Sequence, residues 1–367
     1  MPQAVSHTMK LKMHLEPEMR VRAYLGDQEY FVESDAPMAL NVESVLAAAF
    51  FPALANGDTV VADCLADRTF VENMTKLATV ASQWWGWKDR KPFLLDMSRG
   101  PRPASSRAAL FFTGGVDSFC SLLRHPSEIQ SLILVHGFDI PLSDAGRWAQ
   151  AKCWVDQVAQ ACKIETVHVT TNLRDNEVFS RVSWEITHVA ALAGVAHLLD
   201  RHFGRVFLAS SDVPPPWGSN QRIDPLWSSS AVQIVNDGCH LSRLEKVRFI
   251  SGSRLVHKYL RVCWENGSSG LNCGYCEKCV RTQAEFAVSG ALECLETFPP
   301  GHLKEKIDGV DSTENELVRQ WVEISRGISD PGLRRAIERL LARSRNRKLG
   351  KMLPAGVRRF LKSMAGR

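Results

Sequence analysis

Apolar residues recur along this chain at two spacings, and the changes between them mark out its elements. Val21–Leu25 and Tyr30–Glu33 read as paired strands around the turn Gly26–Asp27. The stretch from Val42 to Leu54 reads as a helix and Thr59–Ala62 as a short strand, and Phe70 to Trp85 repeats apolar residues at helical spacing. The aromatic cluster QWWGW at Gln83–Trp87 reads as packing at the end of that helix. Residues 1–98 are thus expected to form a separate N-terminal α+β unit with no chemistry indicated. Prolines, a glycine and serines in KPFLLDMSRGPRPASSR predict a linker near Arg99–Arg107.

Beyond that linker, short apolar strands alternate with helical segments. Leu110–Phe112, Leu132–His136, Thr166–Val169 and Val206–Ala209 are the strands, and Ser118–Leu123, Gly146–Cys162 and Val178–Phe203 the helices. That alternation predicts an α/β domain over residues 107–300, with a parallel twisted sheet covered by helices on both faces. Ligands bind such sheets beyond the carboxyl ends of the strands. From 301 to 367 the chain is polar and helical, with candidates at Asn315–Ile324, Gly332–Leu341 and Val357–Met364 broken by Pro331 and Pro354.

Composition narrows this picture in three ways. With 45% hydrophobic residues among 367, the chain has material for a sizeable core and for two or three domains. The first twenty residues lack the apolar run of a signal peptide, and no segment approaches a membrane span, so a cytoplasmic protein is expected. The net charge of +5 is uneven: Pro331 to Arg367 holds twelve basic residues against one acid, Glu338, for +11, leaving −6 for the rest. This helical basic tail is suited to an acidic partner, a membrane surface or RNA, or simply to staying solvated. The apolar positions Leu333, Ala336, Ile337, Leu340 and Leu341 would give its first helix a docking face.

Two stretches carry chemistry. In ALFFTGGVDSFCSLL, Ala109–Leu123, an apolar strand stops at Thr113–Gly114–Gly115–Val116–Asp117–Ser118 and resumes as an apolar helix pattern. Glycines admit positive φ and close ligand approach, and a helix start offers amides and a positive dipole end to phosphate. Thr113 and Ser118 add hydroxyl donors, and Asp117 could position the turn or hold Mg²⁺. The loop is neither a Walker A motif nor a GxGxxG fingerprint. The second stretch, CWENGSSGLNCGYCEKCVRT, spaces Cys263, Cys273, Cys276 and Cys279 as C-x9-C-x2-C-x2-C. Paired CxxC turns and four sulfurs suit tetrahedral Zn²⁺, with an iron–sulfur cluster as the alternative. The six other cysteines are scattered and read as small buried residues.

Candidate substrate contacts follow the fourth strand. Ser210, Ser211 and Asp212 fall on the ligand edge, and PPPWGSNQRIDPLW adds Trp217, Asn220, Arg222, Asp224 and Trp227 on an irregular loop. The rings would stack on a planar substrate and Arg222 would grip a carboxylate; a plain surface loop is the alternative. His136 and Asp139 follow the second strand toward the same edge, while Asn236–Asp237–Gly238 reads as a turn. Arg243 and Lys246 either neutralise pyrophosphate or are solvated helix charges.

FTGGVDS resembles the SGGxDS loop of the PP-loop ATP pyrophosphatases, with Thr113 in place of the first serine. Together with SRLEKVRFI, CWENG and NCGYCEKCVRT, it makes residues 107–286 similar to the family of 7-cyano-7-deazaguanine synthase and its queuosine-pathway relatives. The resemblance implies an adenine nucleotide alpha-hydrolase-like fold with a zinc element at 261–283. It also implies ATP as co-substrate with Mg²⁺, held by Thr113 to Ser118, with Asp117 and Ser118 catalytic and the four cysteines on a structural Zn²⁺. Where that family carries a Tyr-Gly-Gln turn this chain has HGFDIPL, so the resemblance implies a reaction class and leaves the acceptor open. The expected activity is an AMP-forming ligase: adenylation of a carboxylate or carbonyl oxygen of a small molecule, then attack by nitrogen. Ammonia would be free or supplied by a partner, and a homodimer is allowed for. The competing readings are sulfur transfer to tRNA, through Cys120 or Cys239, and a non-catalytic nucleotide-binding subunit.

Overall fold

The structure, a computed structural model, describes residues 7–17, 19–211, 213–266, 270–310 and 314–352. It divides into two units, Met1–Ser242 and Arg243–Arg367.

In the first unit β1 (Thr8–Glu16), β2 (Arg20–Leu25) and β3 (Gln28–Ser34) form an antiparallel meander. There follow α1 (Val42–Asn56), β4 (Thr59–Asp67), α2 (Arg68–Trp85) and β5 (Phe93–Arg99). Strand and helix then alternate through β6 (Ala108–Phe111), α3 (Val116–Arg124), β7 (Ile129–His136), α4 (Ala145–Cys162) and β8 (Glu165–Thr171). The last elements are α5 (Glu177–Ser180), α6 (Trp184–Leu198), β9 (Arg205–Ala209) and β10 (Gln233–Asp237). All ten strands join one sheet in the order β10-β9-β6-β7-β8-β3-β2-β1-β4-β5. Pairing is parallel except through the meander, where β1–β2, β2–β3 and β3–β8 run antiparallel.

The break expected near residue 98 is therefore not a break in the sheet. Ser34 of β3 pairs with Val169 of β8, and residues from both sides of the linker share one apolar core. The linker itself is pinned. Arg102 pairs with Asp200 at 2.6 Å and its amide donates to Ser230 Oγ, and a Cβ on Gly204 would meet the Ser105 carbonyl at 1.9 Å. Helices α1 and α6 are apolar around most of their circumference because they pack into this core, and a Cβ on Gly194 would stand 2.7 Å from the Ser44 carbonyl. The predicted helix Val178–Phe203 is two helices; the second restarts at Ser183, whose hydroxyl accepts from the Glu185 amide. At the end of α2, Trp85 and Trp87 stack at 4.9 Å and both meet Phe51 edge-on, so QWWGW is packing.

The second unit is helical: α7 (Arg243–Ile250), α8 (Arg254–Tyr259), α9 (Glu277–Val288), α10 (Leu303–Gly309), α11 (Asn315–Gly327) and α12 (Pro331–Met352). Ala336, Ile337 and Leu340 of α12 are buried with Val280, Ile307, Trp321 and Ile324, so the predicted docking face lies on its own unit. Arg339 donates to both carboxylate oxygens of Asp308 through Nε and Nη2, and Arg343 donates to the carbonyls of Ile307, Asp308 and Val310 at the end of α10. The segment 357–364 lies outside the described residues. Among those described, no helix is long and apolar enough to cross a membrane.

Candidate functional site

The strand order reverses at β6. The chain runs outward through β7 and β8 on one side, and β9 and β10 lie on the other. A sheet that switches direction leaves a crevice beyond the carboxyl ends of the two strands flanking the switch. The loops entering it are Thr113–Gly115 after β6 and the segment starting at Ser210 after β9.

Gly114 has φ of +77°, a conformation that a Cβ disfavours, and this lets the chain turn sharply from β6 into α3. The helix starts from Gly115, which caps it without a side chain, and Asp117 lies in its first turn. Thr113 is exposed, Gly115 and Asp117 are half-buried, and Gly114, Val116 and Ser118 are buried. The Ser118 hydroxyl donates to the Gly115 carbonyl at 3.1 Å, bracing the turn. Strand, glycine turn and helix thus stand as the sequence predicts.

What holds α3 in place was not legible. The Asp237 carboxylate at the end of β10 accepts from Ser121 (2.7 Å) and Arg124 (3.1 Å), and His125 Nε2 lies 3.1 Å from it. Burial pushes this carboxyl up, but the Ser121 and His125 hydrogen bonds and the Arg124 charge outweigh it and hold it below its usual range. A residue read as part of a turn also clamps α3 to the end of β10.

The candidate substrate residues separate into two groups. Trp217 is half-buried with its ring 6.4 Å from His188, and the next residue explains its fixed position. A Cβ on Gly218 would meet the carbonyls of Glu185 and Ile186 at 2.2 and 2.4 Å, so this loop lies directly on the first turn of α6. Arg222 is exposed, with its guanidinium 5.5 Å from the centre of the Trp84 ring. Asp212 lies outside the described residues. Two expectations are corrected. Trp227 is fully buried, edge-on to Phe50 and Phe51 at 5.8 and 5.2 Å, and offers no stacking surface. Asp224 is also fully buried and serves the loop: it accepts from Ser219 Oγ, the Asn220 amide and Asn236 Nδ2. The Asn220 side chain likewise caps the Arg222 amide. On the neighbouring edge His136 stacks on Trp148 at 4.6 Å and bonds the Pro141 carbonyl, while Asp139 is exposed.

Burial pushes the Asp224 carboxyl up to about 6, against the pull of its three donors. A folded-state value above the unfolded one favours folding fully at low pH and loses that contribution as pH rises through about 4 to 6. The difference from the ordinary value corresponds to about 3 kcal/mol. Asp224→Asn is therefore expected to destabilise most at pH 4 and least above pH 6, in denaturant unfolding compared with the parent chain. A pH-independent difference would show that Asp224 folds with the same protonation it has when unfolded.

In the second unit the four cysteines meet. The sulfurs of Cys263, Cys273, Cys276 and Cys279 all lie within 4.8 Å of one another, and Cys273 and Cys279 are 3.8 Å apart. Sulfurs each about 2.3 Å from a tetrahedral ion stand about 3.8 Å from each other, so the cluster could hold a metal ion such as zinc. Cys276 is the cap residue of α9, and its amide donates to Cys273 Sγ at 3.3 Å. Gly274 takes φ of +79° to close the knuckle, where a Cβ would meet the Pro299 ring at 2.4 Å. Asn272 joins the two ligand segments: its carbonyl accepts from the Val262 and Cys263 amides, and its amide donates to the carbonyls of Leu260 and Thr297. Cys276 is held down, first by the hydrogen bond from the Cys279 thiol, whereas that same bond and burial push Cys279 up. Four thiols this close ionise together only around a cation.

Three further sequence expectations resolve here. Arg243 is a partner of Glu285 (3.1 Å) and Thr282 (2.9 Å), and Lys246 is buried, so neither is a solvated helix charge. Cys120 is buried within α3. No family model, curated protein or solved structure matches this chain.

Proposed function

We propose that the chain is an AMP-forming ligase of the ATP pyrophosphatase type. The observation that carries the reading is the Gly114–Gly115 turn into α3, at the carboxyl end of the strand where the sheet reverses order. The amides of this turn would hold the pyrophosphate end of ATP, with Asp117 on Mg²⁺ and the Ser118 hydroxyl bracing the loop. A carboxylate or carbonyl oxygen of the acceptor attacks the α-phosphorus, and the bond to pyrophosphate breaks. Nitrogen then attacks the adenylated carbon, AMP leaves with the oxygen, and a proton departs from nitrogen. Positioning and electrostatics supply most of such a reaction, which suits a site built from backbone and short polar side chains. The half-buried Trp217 and the exposed Arg222 remain the candidate contacts for the acceptor. The four cysteines would hold a structural Zn²⁺, four sulfurs with short CxxC spacing favouring zinc. The burial of Cys120 argues against its carrying a persulfide for sulfur transfer.

Purified protein with Mg·ATP, ammonium and a small-molecule metabolite extract is expected to release AMP and pyrophosphate in equal amounts. Asp117→Ala is expected to abolish both. ADP and phosphate as the main products, or equal release by the Asp117 variant, would overturn the assignment.

A further inference from the structure

Lys306 is an unusual lysine: it is 7% exposed, and no carboxylate pairs with it among the described residues. Its ammonium donates to Gln283 Oε1 at 3.1 Å and to the Pro299 carbonyl at 3.0 Å, and lies 5.3 Å from the centre of the Tyr275 ring. All of these partners are neutral. A buried ammonium without an anion is costly, and such groups are retained where a charge compensates them.

The surrounding contacts all lead to the cysteine cluster. Gln283, which accepts from Lys306, donates through Nε2 to the carbonyls of Gly274 and Cys279. The Pro299 that accepts from Lys306 is also the ring that forbids a side chain on Gly274. Lys306 Nζ would stand 3.7 Å from a Cβ at that glycine. Burial lowers the Lys306 ammonium, and Cys279 and Cys273 are near enough to pull it back up by charge. A divalent ion with four thiolates carries a net charge of about −2, and a lysine of this kind offsets part of it.

We propose that Lys306 is the buried counter-charge of the four-thiolate metal centre, and that through it metal loading fixes the seat of α10. The consequence reaches further along the chain. Helix α10 carries both Lys306 and Asp308, and Asp308 with the last carbonyls of α10 receives Arg339 and Arg343 of α12. Losing the ion leaves Lys306 without its compensating charge and loosens the helix against which the basic α12 packs.

The inference rests on the metal reading of the cysteines and is independent of the ATP reading. The test uses the full chain, zinc-loaded, as the parent and as Lys306→Met, Lys306→Gln and Lys306→Arg. Zinc retention is followed against increasing chelator, and trypsin cleavage within α12 is followed in parallel. The two neutral variants are expected to release zinc at about 10-fold lower chelator, in the range found when outer partners of metal ligands are removed. Their α12 is expected to be cut faster than in the parent, while Lys306→Arg stays close to the parent in both readouts. Neutral variants that retain zinc like the parent, or an arginine variant that loses it as readily as they do, would show that the charge is not what matters. A parent chain that binds no zinc overturns the metal reading and this inference together.

Discussion

Cys279→Ser is expected to yield a chain whose second unit neither binds metal nor folds stably. The parent is expected to carry about one zinc per chain and little iron, by elemental analysis of purified protein. Cys279 is the fully buried member of the cluster, in the first turn of α9 and 3.8 Å from Cys273. A serine there keeps the size but gives neither a soft thiolate nor the reach of sulfur. Structural zinc contributes on the order of 10 kcal/mol to folding in small sites of this type. The cluster also seats the unit's apolar core: the knuckle is closed by Gly274 and the hydrogen bonds of Asn272, and the core begins at Val280, directly after Cys279. Insoluble or metal-free protein is the expected result, read by elemental analysis and by loss of helical circular dichroism. A brown parent protein with iron and acid-labile sulfide would replace zinc with an iron–sulfur cluster, and a folded, metal-replete serine variant would remove Cys279 from the ligand set.

The parts of these sites that were legible in sequence are those where one residue type alone does the job. Only glycine takes φ of +77° without strain, so Gly114 marks a turn wherever an apolar strand runs into it. CxxC spacing brings sulfurs together from one tight turn, so the four cysteines whose sulfurs lie within 4.8 Å of one another could be picked out from the sequence. The misreadings concern residues whose environment comes from distant segments. Trp227 in a proline-rich loop has the look of a stacking ring until Phe50 and Phe51 of α1 enclose it. Asp237 ends a strand, and only the fold brings Ser121, Arg124 and His125 to it. Lys306 carries no local signal at all. The separate N-terminal unit was an inference from proline and glycine content, and it gave way because Arg102 and Ser105 are held by the body of the sheet unit. The strand β1 does alternate, with Met9, Leu11, Met13 and Leu15 against polar neighbours, but that pattern gains weight only once β2 and β4 are known to flank it.

Gly114→Val is expected to remove Mg·ATP binding while leaving metal content and helical circular dichroism unchanged. The substitution acts twice. A residue with a Cβ in the left-handed region is strained by about 1–2 kcal/mol, and valine, branched at Cβ, by more. Relaxing that strain rotates the peptide planes on either side of residue 114, and those planes aim the amides of the turn. In the proposed reading the phosphate approaches the start of α3, where helix amides attract an anion only over the first turn, so the amides must keep their aim. Strain of that size alone would cost about 5–30-fold in binding, and the loss of amide aim adds to it. Calorimetric titration of the full chain with Mg·ATP measures this directly and needs no knowledge of the acceptor. Ser118→Ala is the graded companion: it deletes the 3.1 Å bond to the Gly115 carbonyl without changing the backbone, and is expected to weaken binding by about 2–10-fold, the worth of one neutral hydrogen bond that braces the turn. Unaltered affinity in Gly114→Val would place nucleotide binding elsewhere, because the proposed site depends on the left-handed backbone that only glycine takes there without strain.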